Sequence, residues 1–426
     1  ALITFTCYVS LYNADGNEIL RVDGQDLYNE NSISGAFGNI DYKFEKIKDV
    51  FKKWSDFIPT ITDLADTALG PAIFGAVSLL KEEGGRIILL TDGMANMGVG
   101  DMTRPSTKKD FYNTLGRTCA DRGIIIEIVG VVPASGSSIE LETIGEMAYL
   151  TGGDVYLAKT EEIAGTFDTI SKSEVLGKNV NVKVFVPASI ELKEISGEVF
   201  YNKRDHFLEV KAGSVNPDRQ FCMSLDTVKD IHINQELPVQ IQIEYTGTDG
   251  HKRKRIYNEK LIVTDREEDI AGNFASEISD EFYIQKAAEL ARKLHNKEGI
   301  EKLKYYNNKL DLYEKVAPQD KKGKILRSSD MIKKEIDDIV KMEQKIKDKD
   351  AYYSYHRKKS SYGSISMKSI AKNMRESADM TDLMNLWLSP LGGTAYAMIL
   401  LHQFQLAHYQ KVIKLLHMMK KKIDSL

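Results

Sequence analysis

The chain has 426 residues, with 58 Lys+Arg against 62 Asp+Glu for a formal net charge of −4, and is 42% hydrophobic and 28% charged. That length calls for two or three domains, each with enough apolar residues for a core, and the near-neutral balance argues against a dedicated nucleic-acid binder. The three cysteines, Cys7, Cys119 and Cys222, are scattered and odd in number, which excludes a disulfide framework or zinc spacing and fits buried thiols in a reducing compartment.

The chain opens at Ala1 inside an apolar strand, as a piece of a longer protein would. It shows no signal-peptide pattern and no membrane-length apolar run, so a cytoplasmic location is expected. Residues 1–13 alternate as one strand, and 17–22 form a second across the Asp15-Gly16 hairpin turn. The polar Asn/Ser/Gly stretch 29–39 reads as a loop. Ile40, Phe44, Ile47, Val50, Phe51 and Trp54 space as one helix face over 40–58.

A second helix, rich in small residues, covers 68–82. The run RIILLTD (86–92) has no alternation, as expected of a strand buried on both faces. Strand and helix then alternate: helix near 107–122, strand 123–132, helix 139–150, edge strand 154–158, helix to about 173. This order predicts a doubly wound, Rossmann-like α/β domain over 1–175, with a parallel sheet covered on both sides.

Past Gly177 the pattern changes. NVNVKVFV (179–186) alternates as a half-exposed strand, and further strands follow at 195–201, 206–212, 220–226, 238–247 and 254–263. Strands at this spacing predict an antiparallel β-sandwich over 176–268. The amphipathic segment 278–296 opens a helical region, 269–347. Residues 348–366 are rich in Tyr, Ser and Lys without period and read as a linker. The remainder, 367–426, reads as C-terminal helices, with a long one over 390–426.

Ligands of an open parallel sheet bind beyond the carboxyl ends of its strands. Thr91-Asp92-Gly93 directly follows IILL, so a carboxylate and a turn-forming glycine stand at such an end. Here the sequence resembles the von Willebrand factor type A (vWA) family. ILLTDG (88–93) matches that family's late metal-site motif, and TALGP (67–71) matches its threonine loop. ITF (3–5) and TGGDVY (151–156) fit as its second strand and the approach to its last.

The resemblance implies a protein-binding domain whose divalent cation, Mg²⁺, is held by a DxSxS triplet, a threonine and an aspartate, with one position left for a partner's carboxylate. Carried over by position, the metal residues are Thr67 and Asp92, and Thr91, Gly93 and Asn96 are partner-binding. No DxSxS occurs in the chain, so the first strand that would carry it is missing from its expected place. The two alternatives are a site completed upstream of Ala1 and a metal-free scaffold.

A narrower resemblance covers more of the chain. Residues 84–101, 111–131 and 141–157 look like the trunk domain of the inner-layer COPII vesicle-coat subunits, and 239–265 is similar to their β-sandwich. The zinc-finger cysteines of that family are absent. Two readings follow: a scaffold or adaptor that engages proteins in a larger assembly through its vWA domain, or a coat-like subunit of intracellular membrane traffic. The basic run Lys252, Arg253, Lys254 and Arg255 suits acidic headgroups, an acidic partner face or a solvated strand edge. P-loop, Rossmann and GxSxG motifs are missing, so no enzymatic activity is expected.

Overall fold

The computed structural model describes residues 1–363 and 397–402, apart from 62–65, 82–83, 105–107, 133–137, 198–199, 205, 217–218, 228–230, 267, 269–270, 272–273 and 275. Two compact units result. One holds Ala1–Asn179 and a strand from the C-terminal region; the other holds Val180–Gly247 and the chain from His251 to the end of the last described helix. The fold is mixed α/β, with a largely parallel sheet, antiparallel strand pairs and a helical region.

The first unit begins with β1 (Leu2–Phe5), β2 (Val9–Tyr12) and β3 (Glu18–Val22). Residues 1–13 are therefore two strands and not one. The chain turns back at Thr6, whose N–H donates to the Tyr8 carbonyl at 2.9 Å. Both strands are buried throughout, so alternation could not reveal the reversal. The β2–β3 turn is built by Asn13, whose Oδ1 accepts from the Asp15 and Asn17 amides at 2.9 Å each, with Gly16 at φ 80°.

The expected loop 29–39 is instead helix α1 (Glu30–Gly38), capped by Asn29 through bonds from the Asn31 and Ser32 amides. Its stripe is short, only Ile33 and Phe37 one turn apart, and both are fully buried. Helices α2 (Ile47–Phe57) and α3 (Leu69–Leu80) follow. A Cβ on Gly75 of α3 would fall 2.6 Å from the Phe37 ring, so the glycine is what lets α1 approach α3.

The core strands are β4 (Gly85–Thr91) and β5 (Ile124–Val131), the latter buried at every residue. Around them lie α4 (Lys108–Asp121), α5 (Leu141–Thr151), edge strand β6 (Val155–Ala158) and α6 (Ile163–Lys172). Ile88, Leu90, Val129 and Val131 form one core with Val50 and Trp54 of α2 and Ile163, Phe167 and Ile170 of α6. Alternation turns Ile87 and Leu89 to the opposite face. Arg86 fastens α6 to the sheet: its guanidinium donates to the Ile170 and Ser173 carbonyls and lies 3.8 Å from the buried Glu127 carboxylate.

The second unit contains β7 (Gly177–Phe185), β8 (Ile190–Ile195), β9 (Phe200–Arg204), β10 (Phe207–Val215), β11 (Met223–Thr227), β12 (Glu236–Thr246) and β13 (Lys252–Ile262). A five-stranded sheet runs β13-β12-β7-β10-β9, and β11 pairs with β8. Val180, Val182, Val184, Leu192, Leu208 and Val210 lead the core between them.

Helices α7 (Ser276–Arg292), α8 (Asn296–Val316), α9 (Gln319–Glu343) and α10 (Lys349–Tyr362) complete this unit. Ile284, Leu303, Leu310, Ile332 and Ile339 are central to the core of the first three. Helix α10 replaces the expected linker 348–366. Asp348 caps it, the Tyr352 hydroxyl lies 2.9 Å from the Ala291 carbonyl, and Lys359 pairs with Glu335 of α9. Its buried side is made of Tyr, Ser and His together with Asp350, Arg357 and Lys359, which leaves no apolar period to detect.

A fourth correction concerns the C-terminal region. Ala397–His402 is strand β14, not helix, and it lies parallel between β1 and β4. The sheet order becomes β3-β2-β1-β14-β4-β5-β6. A short run such as AMILL is equally a central strand or a piece of buried helix until its neighbours are known. The rest of the expected C-terminal helices, 367–396 and 403–426, lies outside the described residues. The slot that the vWA resemblance reserves for a DxSxS strand is thus filled by a strand without that triplet.

Candidate functional site

The carboxyl ends of β1, β14 and β4 share one edge of the parallel sheet, where two loops meet. One runs from Asp66 into α3. The other leaves β4 at Thr91 and continues to Asp101. The sequence-derived residues Thr67, Thr91, Asp92, Gly93 and Asn96 all lie here, so the structure brings these five together.

Thr91 is fully buried and closes its own turn. Its hydroxyl donates to the Gly93 carbonyl at 3.0 Å, and the Gly93 amide approaches the same oxygen at 3.4 Å. Asp92 is half-buried between them. Asn96 stitches the loops together: its Oδ1 accepts from the Thr67 amide at 2.8 Å, and its own amide donates to the Thr67 carbonyl at 3.2 Å. Its Nδ2 lies 3.5 Å from Asp66 Oδ1, and the Ala68 amide donates to the Thr6 carbonyl at 2.7 Å. Asn96 therefore acts first as a tether, a role different from direct partner contact.

Two further anchors escaped sequence reasoning. Asp101 Oδ1 accepts from the Thr103 amide at 2.8 Å and its hydroxyl at 2.6 Å, while Arg104 lies 3.3 Å from the other oxygen. The Tyr112 hydroxyl of α4 donates to the Gly100 carbonyl at 2.8 Å, and burial raises its pKa far above the ordinary tyrosine range. The available signal was glycine spacing. A Cβ on Gly70 would sit 1.9 Å from the Val99 carbonyl oxygen, so the loop lies directly against the start of α3. Gly98, at φ 80°, similarly faces the Pro71 ring.

The donor set decides how far a cation fits. Asp66, Thr67 and Asp92 offer side-chain oxygens at this edge, whereas Mg²⁺ demands a near-ideal octahedron. Among the described residues no group of three or more His, Cys, Asp or Glu side chains could hold a metal ion. The described residues do not fit a cation held by this chain alone.

Burial pushes the Cys119 thiol up to about 12 and the Cys222 thiol up to about 11, so neither is a thiolate near neutral pH. The basic residues Lys252, Arg253, Lys254 and Arg255 lie in the other unit, on β13. Among the described residues no helix is long and apolar enough to cross a membrane.

No family model matches the chain. It is 22% identical over 311 residues to circularly permutated Ras protein 1 of Dictyostelium discoideum, covering 68% of this chain and 35% of that protein. It is 27% identical over 157 residues to protein transport protein SEC24-2 of Naumovozyma castellii, covering 33% of this chain and 16% of that one. To human protein transport protein Sec24A it is 21% identical over 255 residues, covering 54% of this chain and 23% of that one. The chain thus spans well under half the length of these relatives.

Among solved structures, the human COPII-coat protein Sec24c superposes with a TM-score of 0.58 at 16% identity, over 74% of this chain and 45% of that one. In both sequence and fold, the chain is similar to Sec24 proteins, of which human Sec24c is a COPII-coat protein.

Proposed function

We propose that this chain is a coat-like subunit of intracellular membrane traffic, which works by binding other proteins within a larger assembly and not by catalysis. The observation that carries this reading is the extent of the likeness to Sec24c, which runs over 74% of the chain. Such extent is hard to reach through a lone α/β domain, because the sandwich and helices must match as well. A cytoplasmic location with peripheral membrane contact follows from the same reading.

Membrane fractionation of cells carrying the tagged full-length protein tests it. The protein should enrich on small transport carriers and leave them in a high-salt wash. A uniformly soluble distribution, unaltered when carrier formation is blocked, would overturn the reading.

A second reading keeps the vWA resemblance as the working part: partner docking at the Thr67–Asp92 edge, assisted by Mg²⁺. It is favoured by the meeting of the two loops at Asn96. It requires oxygen donors beyond the described set, from a partner or from elsewhere in the polypeptide. Dependence of partner binding on Mg²⁺ separates it from the first.

A further inference from the structure

Strand β13 is the outermost strand of the five-stranded sheet, paired along all eleven residues with β12, and each of those residues is exposed. Among the described residues no strand covers its other side. Its register against β12 runs without a shift, so no bulge twists the edge away. A long regular edge offers its unpaired backbone N–H and C=O groups to an incoming strand, a hazard that proteins usually blunt.

The side chains along this edge are sorted. Lys252, Arg253, Lys254 and Arg255 fill the first part, and apolar groups dominate the rest. There Ile256, Tyr257, Leu261 and Ile262 are exposed by 41% to 68%. The register sets Arg253 against Tyr245, Arg255 against Ile243, Tyr257 against Ile241 and Leu261 against Leu237. These β12 residues belong to the sandwich core or pack on it, so that row of β13 prolongs the inner face of the sheet. The Arg255 guanidinium lies over the Tyr245 ring at 6.0 Å. On the opposite face Glu244 is shared, at 3.1 Å from Lys254 and 3.0 Å from Lys183.

We propose that the open edge of β13 takes an extended acidic segment of a partner protein as an added strand. Backbone pairing would supply the affinity and alternate side chains the selectivity. Carboxylates of the incoming strand would meet Lys252–Arg255, and its apolar residues would lie beside Tyr257 and Leu261 on one face or Ile256 and Ile262 on the other. The cations reject a basic strand. This docking site rests on the second unit alone and would exist whatever assembly the chain serves.

Titration of the intact chain with a synthetic peptide of about twelve residues, half alternating Glu and half alternating Val, tests the proposal. The peptide should bind and slow amide exchange along β13, whereas a Lys-for-Glu version should not. N-methylation of alternate amides on the pairing edge should abolish binding, and methylation on the other edge should leave it. Arg253→Glu/Arg255→Glu and, on the opposite face, Lys252→Glu/Lys254→Glu should each weaken binding by at least about tenfold. The idea fails if both methylated peptides bind equally, which would mean charge attraction without strand pairing. It fails equally if both variants bind unchanged, or if vesicles of acidic lipid protect β13 and the peptide does not.

Discussion

Thr67 and Asn96 hold each other across the carboxyl edge of the α/β sheet. The Thr67 amide donates to Asn96 Oδ1 at 2.8 Å, and the Asn96 amide returns a bond to the Thr67 carbonyl at 3.2 Å. Thr67 is almost fully buried, so removing the carboxamide takes an acceptor from a group that water does not easily reach. Asn96→Ala should therefore destabilise the first unit by about 1–3 kcal/mol in urea unfolding. Amide exchange at Thr67 should accelerate in step. An unchanged Thr67 rate would show that the pair does not tie the loops.

Glycine placement at the same edge gives a paired test. Gly70→Ala drives a methyl group into the Val99 carbonyl, which a Cβ would approach at 1.9 Å, and backbone on both sides resists the shift. The cost should be about 1–3 kcal/mol or more. Gly35→Ala, in the middle of α1 with nothing within 4 Å of the new Cβ, should instead gain about 0.5–1 kcal/mol from helix propensity. Thermal unfolding of the two variants should shift in opposite directions. A shift in the same direction would contradict the packing described at Gly70.

How much of this was legible beforehand varies with the kind of signal. The strands IILL and IIIEIVGV were plain because unbroken apolar runs between helical segments have few alternative fates. Helix α1 was not, since its cap and its two-residue stripe hide among Ser, Asn and Gly. Helix α10 was missed because polar and charged residues form its buried side, and β14 because a six-residue apolar run carries no period of its own. At the site, motif position located Thr67, Asp92 and Asn96. That Asn96 grips Thr67, 29 residues away, depends on chain folding that local pattern cannot express.

The buried pair of Lys359 and Glu335 joins α10 to α9, with both side chains more than nine-tenths covered. Removing one partner strands the other charge away from water, so Lys359→Met or Glu335→Gln alone should cost about 3–5 kcal/mol. The double variant Glu335→Leu/Lys359→Met should recover most of that loss, because no lone charge remains. Equal destabilisation in the double variant would mean that the pair contributes as an attraction and not mainly as mutual neutralisation.

Helix α10 also carries a pH signature. Burial, and secondarily the Lys359 charge, pulls the His356 pKa down to about 3 from an ordinary 6.5. The folded state then binds the proton less readily than the unfolded chain. The stability that this histidine contributes is intact above about pH 6.5 and is lost as the pH falls toward 3. Urea unfolding of the wild type and of His356→Phe across this window should show a steeper acid loss in the wild type. Parallel curves would place His356 in water.

The most direct test of the coat-like reading is affinity capture of the full-length protein from its own cells, run side by side in Mg²⁺ and in EDTA, with mass spectrometry of what stays bound. Coat and membrane-traffic proteins should be retained at equal yield in both conditions. Partners drawn from outside membrane traffic, and released by EDTA, would contradict it and point instead to a metal-assisted docking face at Thr67 and Asp92.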